Sequence, residues 1–95
     1  MQFVFVRFHA APGNEDNVVA ALTAVVNASR TEEGCVSMHA FRSIRDPRLF
    51  FIHSVWHDAA AFDLHAKLPH TVQFLDRVDP LLDEPRSVSR TNRIL

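Results

Sequence analysis

The sequence is poor in the residues that several large classes of protein need. A single cysteine, Cys35, cannot form an internal disulfide, which is typical of the reducing cytoplasm. Only two glycines, Gly13 and Gly34, are present, so no glycine-rich phosphate loop exists and no dinucleotide cofactor is expected. The apolar run near the N-terminus, Phe3 to Val6, stops at Arg7 and is too short for a signal peptide or a membrane span.

An excess of charge of one sign is also missing. The chain has 10 lysines and arginines against 11 aspartates and glutamates, a formal net charge of −1. Nothing in this balance attracts nucleic acid or an anionic membrane. Ninety-five residues suffice for one domain, residues 1–95, although 47% hydrophobic residues is a high fraction for a core this small. We therefore expect a cytoplasmic single-domain protein with neither nucleic-acid nor membrane partners.

Apolar periodicity and turn residues predict the element order β-α-β-β-α-α-β, an α+β, ferredoxin-like domain with an antiparallel sheet. The predicted strands are 2–9, 35–43, 49–56 and 86–95, and the predicted helices follow Asn14, follow Asp58 through Lys67, and span 70–82. Asn14 and Asp58 are expected to cap their helices. Pro69 is expected to end the second helix, and Pro80 to kink or end the third. The residues of the third helix expected to point inward are Val72, Phe74, Leu75 and Val78.

Two strands carry apolar side chains on both faces. In the first strand, Phe3 and Phe5 oppose Val4, Val6 and Phe8. In the third strand, Phe51 and Val55 oppose Phe50, Ile52 and Trp56. A sheet with water on one side should instead alternate apolar and polar residues. Because the helices of one chain cover only one face, we expect a second copy to cover the other, giving a homodimer.

With this pattern in place, the chain resembles the antibiotic biosynthesis monooxygenase domain family of the dimeric α/β-barrel superfamily. The matching segments are Pro12-Gly13, Glu33-Gly34-Cys35, Val55-Trp56, Ala61-Phe62-Asp63-Leu64-His65 and Leu68-Pro69-His70. The resemblance covers nearly the whole chain. It implies that two domains pack sheet on sheet into a dimeric α/β barrel, with a small-molecule cavity between the sheet and the helices of each subunit.

The resemblance also implies a chemistry. Quinol-oxidising and polyketide-tailoring members use O2 without flavin, haem or metal, so no cofactor is expected. A phenol or quinol loses a proton and its anion reduces oxygen directly. Such a site needs a base that titrates near neutrality, donors for the oxyanion and walls that exclude water. Histidine meets the first requirement, and the chain has six histidines.

Two histidines are the candidate catalytic residues, His65 and His70. His65 follows Phe62 by three residues on the same helical face, which predicts that it points inward. His70 stands beside Pro69 at the start of the last helix, where a structural hydrogen bond between helices is the alternative role. The expected substrate-binding residues are Trp56, Phe62, Ile52 and Ser54. For Trp56 the alternative is a core residue that seals the sheet against the helices.

The other four histidines are weaker candidates. His53 shares a strand face with Phe51, opposite Trp56, and is expected to point towards the dimer interface. His39 lies on the second strand. His9 and His57 stand at strand ends and are expected to be solvated. No HExxH or CxxC spacing occurs in the chain, so no metal site is expected.

The sequence departs from some branches of the family. It has no tyrosine, and Ile52, His53 and Ser54 stand where polyketide-tailoring members have an asparagine. Haem-degrading members place a tryptophan and a ligating histidine where this chain has His65 and Leu75. The chain therefore looks closer to the quinol-oxidising members, and to those that isomerise a phosphorylated sugar derivative. We expect a cofactor-independent monooxygenase acting on a small phenolic or quinol-like compound. The alternatives are an isomerase of small polar carbonyl compounds and a non-catalytic small-molecule-binding dimer.

Overall fold

The computed structural model describes the whole chain, Met1 to Leu95, and confirms the predicted order of elements. The strands are β1 (Gln2–His9), β2 (Cys35–Arg42), β3 (Leu49–Trp56) and β4 (Ser87–Thr91). The helices are α1 (Glu15–Ser29), α2 (Ala59–His65) and α3 (Pro69–Val78), and one 3-10 turn, Asp79–Leu81, follows them. The chain is an α+β protein, as predicted.

The four strands form one antiparallel sheet in the order β2-β3-β1-β4. In the register, Gln2 lies opposite Trp56 of β3, and Arg7 lies opposite Ser87 of β4. Helix α1 connects β1 to β2 across the intervening β3, which is the ferredoxin-like topology. Strands β2 and β4 are the two edges of the sheet.

Three local expectations are corrected by the structure. Asn14 precedes α1 but makes no capping side-chain bond, and its Nδ2 instead donates to the carbonyl oxygen of Leu81 at 3.3 Å. Pro69 begins α3 rather than ending α2, since the first turn of a helix does not need the N–H that proline lacks. Val72 is 44% exposed because Phe74 and Val78 lie on the buried stripe of α3 instead. Asp58 caps α2 as predicted, accepting a hydrogen bond from the backbone N–H of residue 61.

The core lies between one face of the sheet and the helices. Val4 and Phe8 of β1 and Trp56 of β3 are almost fully buried there, together with Val18 of α1 and Val78 of α3. The rings of Phe8 and Phe74 pack edge to face, with centroids 5.8 Å apart. Burial of this apolar surface supplies most of the stabilisation of the fold.

The opposite side of the sheet, which we call the outer face, remains partly uncovered. Its apolar and histidine side chains are those of Phe3, Phe5, His39, Phe41, Phe51, His53 and Val55. Phe5 is 50% exposed, Phe41 is 53% exposed and Phe51 is 36% exposed. The strands are thus apolar on both faces, while the homodimer that this pattern predicts stays a prediction. None of the three helices has both the length and the apolar composition needed to cross a bilayer.

His9 at the end of β1 is not solvated, contrary to expectation. Its side chain is 11% exposed, with Nδ1 2.6 Å from Asp83 and Nε2 2.8 Å from Asp46. Hydrogen bonds to Asp83 and then Asp46 raise the pKa of the imidazole. The two carboxylates come from the loop between β2 and β3 and from the loop before β4, so His9 ties both loops to β1.

Candidate active site

A cavity of about 180 Å³ lies between the inner face of the sheet and helices α2 and α3. Ten of its 14 lining residues are hydrophobic. The polar groups that line it are Ser54, His65, Thr71 and Arg86. A larger groove of about 380 Å³ lies between α1 and β2, but no histidine or carboxylate lines it. The smaller cavity therefore combines apolar walls with a titratable side chain.

A glutamate that the sequence pattern did not indicate organises one wall of this cavity. Oε2 of Glu32 lies 2.8 Å from Nδ1 of His65 and 2.7 Å from Nε2 of His70. The Glu32 side chain is 10% exposed and the His65 side chain 9% exposed. A carboxylate only accepts hydrogen bonds, so both histidine nitrogens must carry the protons. In a neutral His65 the free lone pair is then on Nε2.

The close packing of α2 against the loop that carries Glu32 depends on Gly34. A Cβ atom on Gly34 would lie 2.5 Å from the Cβ of Ala61, a distance that two carbon atoms do not reach. The glycine therefore lets the first turns of α2 rest directly on the loop. This contact brings His65, one turn further along, within reach of Glu32.

Aromatic rings enclose His65 on its other sides. The ring centroid of Trp56 lies 4.5 Å from that of His65, and the centroid of Phe62 lies 5.5 Å away. Oγ1 of Thr71 is a second, longer partner of Nδ1 at 3.3 Å. Burial lowers the pKa of His65, and the hydrogen bond and negative charge of Glu32 act against that shift. A buried histidine with a lowered pKa is neutral at pH 7 and can accept a proton.

Four of the six residues expected at the site line the cavity: Ile52, Ser54, Phe62 and His65. Trp56 does not. It is fully buried behind the wall, and its Nε1 donates to Oγ of Ser54 at 2.9 Å. His70 also lies outside the cavity, with a side chain 29% exposed on the far side of Glu32. Trp56 therefore acts on the cavity only through Ser54 and His65, which it contacts. His70 acts on it only through Glu32, which holds His65.

Sequence reasoning also missed Arg86 and the role of Arg90. Arg86 lines the cavity just before β4. The guanidinium of Arg90 lies over the Phe62 ring at 4.8 Å and pairs with Asp63 at 2.7 Å, so it holds α2 against β4. From sequence, the tail is expected only to form an extended polar strand. The available signal was the alternation of Arg86, Val88 and Arg90 with the small polar residues Ser87, Ser89 and Thr91, which places the longer side chains on one face of the strand.

The Glu32 cluster also contains the donor types that bind metals. The ligand atoms of Glu32, His65 and His70 lie within 4.8 Å of one another. A metal ion bound there would have to replace the two hydrogen bonds that these histidines already donate to one carboxylate oxygen. A second group of this kind comprises His9, Asp83 and Glu84. The absence of a metal or other cofactor remains a prediction.

The chain is thus an α+β domain whose helices all pack on one face of the sheet and which has a small apolar cavity with a buried histidine. The family model for antibiotic biosynthesis monooxygenase matches residues 1–77, and the chain belongs to this family. Membership supports a general monooxygenase-like role.

The similar proteins and solved structures match most of this chain. The chain is 26% identical over 77 residues to sll1783 of Synechocystis sp., which covers 81% of this chain but 52% of that protein, so the chain spans about half of that relative. It is 28% identical over 80 residues to "Putative monooxygenase YcnE" of Bacillus subtilis, covering 84% of each chain. The structure of Rv0793 from Mycobacterium tuberculosis has a TM-score of 0.93 at 25% identity, covering 98% of this chain and 94% of that one. A crystal structure of an antibiotic biosynthesis monooxygenase reaches a TM-score of 0.95 over the full length of both chains, and at 22% identity it shows the shared fold.

Proposed function

We propose that the protein is a cofactor-independent monooxygenase that oxidises a small phenolic or quinol-like compound with O2. The observation that carries the proposal is the imidazole of His65, which Glu32 orients from one side and which borders an apolar cavity on the other. This is the arrangement of a general base held by a carboxylate. We assign His65 the catalytic role and Glu32 and His70 positioning roles.

The first step is removal of the phenolic proton. Nε2 of His65 makes no hydrogen bond to the protein and is the acceptor in the neutral ring. When it takes the proton, the imidazolium is stabilised by the carboxylate of Glu32. The phenolate needs a donor, and Ser54 can supply one, because its oxygen already accepts from Trp56 and its own O–H is free to donate.

The second step is oxygen transfer. The phenolate, richer in electrons than the phenol, passes electrons to O2, and a C–O bond forms at a ring carbon that carried hydrogen. The resulting peroxide takes the proton back from His65, its O–O bond breaks, and the ring carbon gives up its hydrogen. Water leaves and a quinone remains. A phenol and O2 thus give a quinone and one water, so one oxygen atom enters the ring and the other leaves as water. The apolar walls exclude bulk water from the reactive intermediates.

Oxygen uptake tests this proposal directly. Purified protein is supplied with hydroquinones and dihydroxynaphthalenes in an oxygen electrode, and the product is analysed after reaction with ¹⁸O2. We expect uptake that depends on both protein and substrate, one labelled atom in the product, and a rate at least about 10²-fold lower in His65→Ala. His57→Ala, at an exposed position, is the matched control and should react normally. Equal rates in wild type and His65→Ala would remove His65 from the mechanism.

The same base could also serve an isomerase of small polar carbonyl compounds. Proton transfer between adjacent carbons needs a histidine but no oxygen. The ten hydrophobic lining residues favour an aromatic substrate over a polar one. Turnover that continues unchanged without O2 would favour the isomerase, and binding without turnover would favour a non-catalytic binding protein.

We also propose that the protein works as a homodimer joined through its outer face. The support is the set of exposed aromatic side chains on that face, including Phe5, Phe41 and Phe51, in a chain whose helices all pack on the other side. Contiguous exposed apolar surface of this kind marks an interaction site. A second copy presents the same face and can cover it symmetrically.

A further inference from the structure

One cationic side chain borders the cavity. Arg86 is the only lysine or arginine among the 14 lining residues, and its side chain is 29% exposed. It also lines the open groove that runs from the loop between the 3-10 turn and β4. Arg86 therefore stands where the cavity meets the surface.

The guanidinium of Arg86 has donors to spare. Its Nη1 donates to Asp79, and its Nε and Nη2 make no hydrogen bond to the protein. Arg90, four residues later, differs because each of its three guanidinium nitrogens already donates a hydrogen bond. The acceptors are Gln2, Asp63 and the carbonyl oxygen of Ala59. A free edge of a guanidinium matches the two oxygens of a carboxylate.

The acidic residues at the mouth of the cavity are all paired with cations. Asp79 is paired with Arg86 itself. Asp83 is held by His9 at 2.6 Å and by Arg48 at 3.1 Å, and Glu84 is held by an arginine of β1 at 2.6 Å. Asp83 and Glu84 thus each have a cation of their own, which reduces their repulsion of an incoming anion. Asp79 shares Arg86 with that anion, which would pair with the Nε and Nη2 that Asp79 leaves free.

Arg86 and His65 both line the cavity, and the strand residues beside them pair with opposite ends of β1. His65 packs on Trp56, which lies opposite Gln2 at the start of β1. Arg86 precedes Ser87, which lies opposite residue 7 near the end of β1. Residues 2 and 7 of β1 are roughly 17 Å apart along the strand. The side chains of Arg86 and His65 extend into the cavity between these positions and shorten that distance. A bound molecule can therefore touch the base with one end and the guanidinium with the other.

The volume limits the size of that molecule. At about 180 Å³ the cavity is smaller than the roughly 300–1,000 Å³ of pockets for drug-sized ligands. One or two aromatic rings fit this space, and a fused tetracycle does not. We propose that the substrate class is a one- or two-ring phenol or hydroquinone bearing a carboxylate, and that Arg86 selects it by pairing with that carboxylate. This inference rests on the proposed oxidation, because it assigns the phenolic end to His65.

The test measures binding without oxygen, so that it does not depend on turnover. Under anaerobic conditions, calorimetric titration compares 2,5-dihydroxybenzoate with its uncharged counterpart 2,5-dihydroxybenzamide and with hydroquinone. We expect the acid to bind about 10-fold or more tightly than the amide at low salt, and the difference to shrink as salt is added. Arg86→Gln should bind both equally, and Arg86→Lys should keep part of the preference. Arg45→Gln, which removes an exposed arginine away from the cavity and its mouth, should keep all of it.

The outcomes separate this inference from the proposed function. Equal affinity of wild type for acid and amide, or an unchanged preference in a folded Arg86→Gln protein, would overturn the role of Arg86. Oxygen uptake with hydroquinone but no preference for the acid would leave the oxidation standing and remove this inference. A strong preference for the acid that Arg86→Gln abolishes, without oxygen uptake, would leave the binding role standing and remove the oxidation. In an active enzyme, Arg86→Gln should raise KM for the acid while kcat changes little.

Discussion

At the scale of single residues, one carboxylate oxygen of Glu32 determines which nitrogen carries the proton in two histidines. Oε2 of Glu32 accepts from His65 and from His70, which fixes which nitrogen of each ring carries the proton. The consequence differs between the two rings. His65 presents its free nitrogen from a nearly buried position on the cavity wall, whereas His70 is partly solvated and helps to hold the carboxylate in place.

This arrangement predicts how Glu32→Gln changes the pH dependence of the reaction. Burial lowers the pKa of His65, so its base form persists below pH 6.5 and the rate should decline only on the acid side of that value. Glu32 opposes the shift, so its removal should lower the pKa further and move the acid limb of kcat/KM to lower pH. The plateau rate should also fall by about 10-fold or more, because the ring loses its orientation. An acid limb that moves to higher pH, or stays in place, would contradict the assigned contact.

His9 and His65 together predict how the stability of the protein depends on pH. The raised pKa of His9 means that its contribution to the free energy of unfolding is complete below pH 6.5 and is lost as pH rises through the folded-state value. His65 has the opposite sign, because its lowered pKa makes the folded state lose stability as pH falls below 6.5. Together they predict a maximum of Tm near pH 6.5. Thermal melts of His9→Gln should lose the decline on the alkaline side, and His57→Gln should keep it.

At the scale of elements, the contact between α2 and the loop after α1 sets the geometry of the site. Gly34→Ala would force α2 away from the loop, because the new Cβ lies 2.5 Å from that of Ala61. We expect a loss of roughly 1–3 kcal/mol of stability together with reduced activity, since His65 moves relative to Glu32. Gly13→Ala is the contrast: it strains a backbone with φ of 88° in open space and should lower stability without changing activity.

A second substitution shows whether the effect of Gly34→Ala is steric. Ala61→Gly removes the clashing methyl group from α2, so the double variant should recover activity, even though glycine in a helix costs about 1 kcal/mol. If the double variant is no more active than Gly34→Ala alone, the contact does not position His65.

The same contact shows what the sequence could and could not predict. Periodicity placed His65 inward because Phe62 precedes it on the same helical face, a relation contained within one helix. Glu32 escaped notice because it lies in a turn 33 residues earlier, and only the packing allowed by Gly34 brings it to His65. Arg86 escaped notice for a similar reason: its relation to the cavity depends on how β4 pairs with β1. The sequence thus predicts which face of a helix or strand is buried, but it does not predict which residues of different elements come into contact.

At the scale of the whole molecule, the two faces of one sheet serve different purposes. The inner face supplies Ile52 and Ser54 to the cavity. The outer face exposes Phe5 and Phe51, and the two rows alternate along the same strands, so cavity and outer face are fixed by a single register. A slip of one residue would exchange them. The apolar outer side chains therefore cannot be explained as part of the core that surrounds the active site.

The last prediction concerns this face. Phe51→Asp should convert a dimer into a monomer at micromolar concentration, because a charge buried at the centre of an apolar interface is costly. The side chain is already 36% exposed, so the substitution should leave the fold of the single chain intact. Sedimentation velocity measures the association state, and circular dichroism checks the fold. Phe5→Asp is an independent variant on the neighbouring strand, and Ile44→Asp, fully exposed in the loop between β2 and β3, is the control that should remain dimeric. A wild-type protein that sediments as a folded monomer would show that the outer face has another purpose.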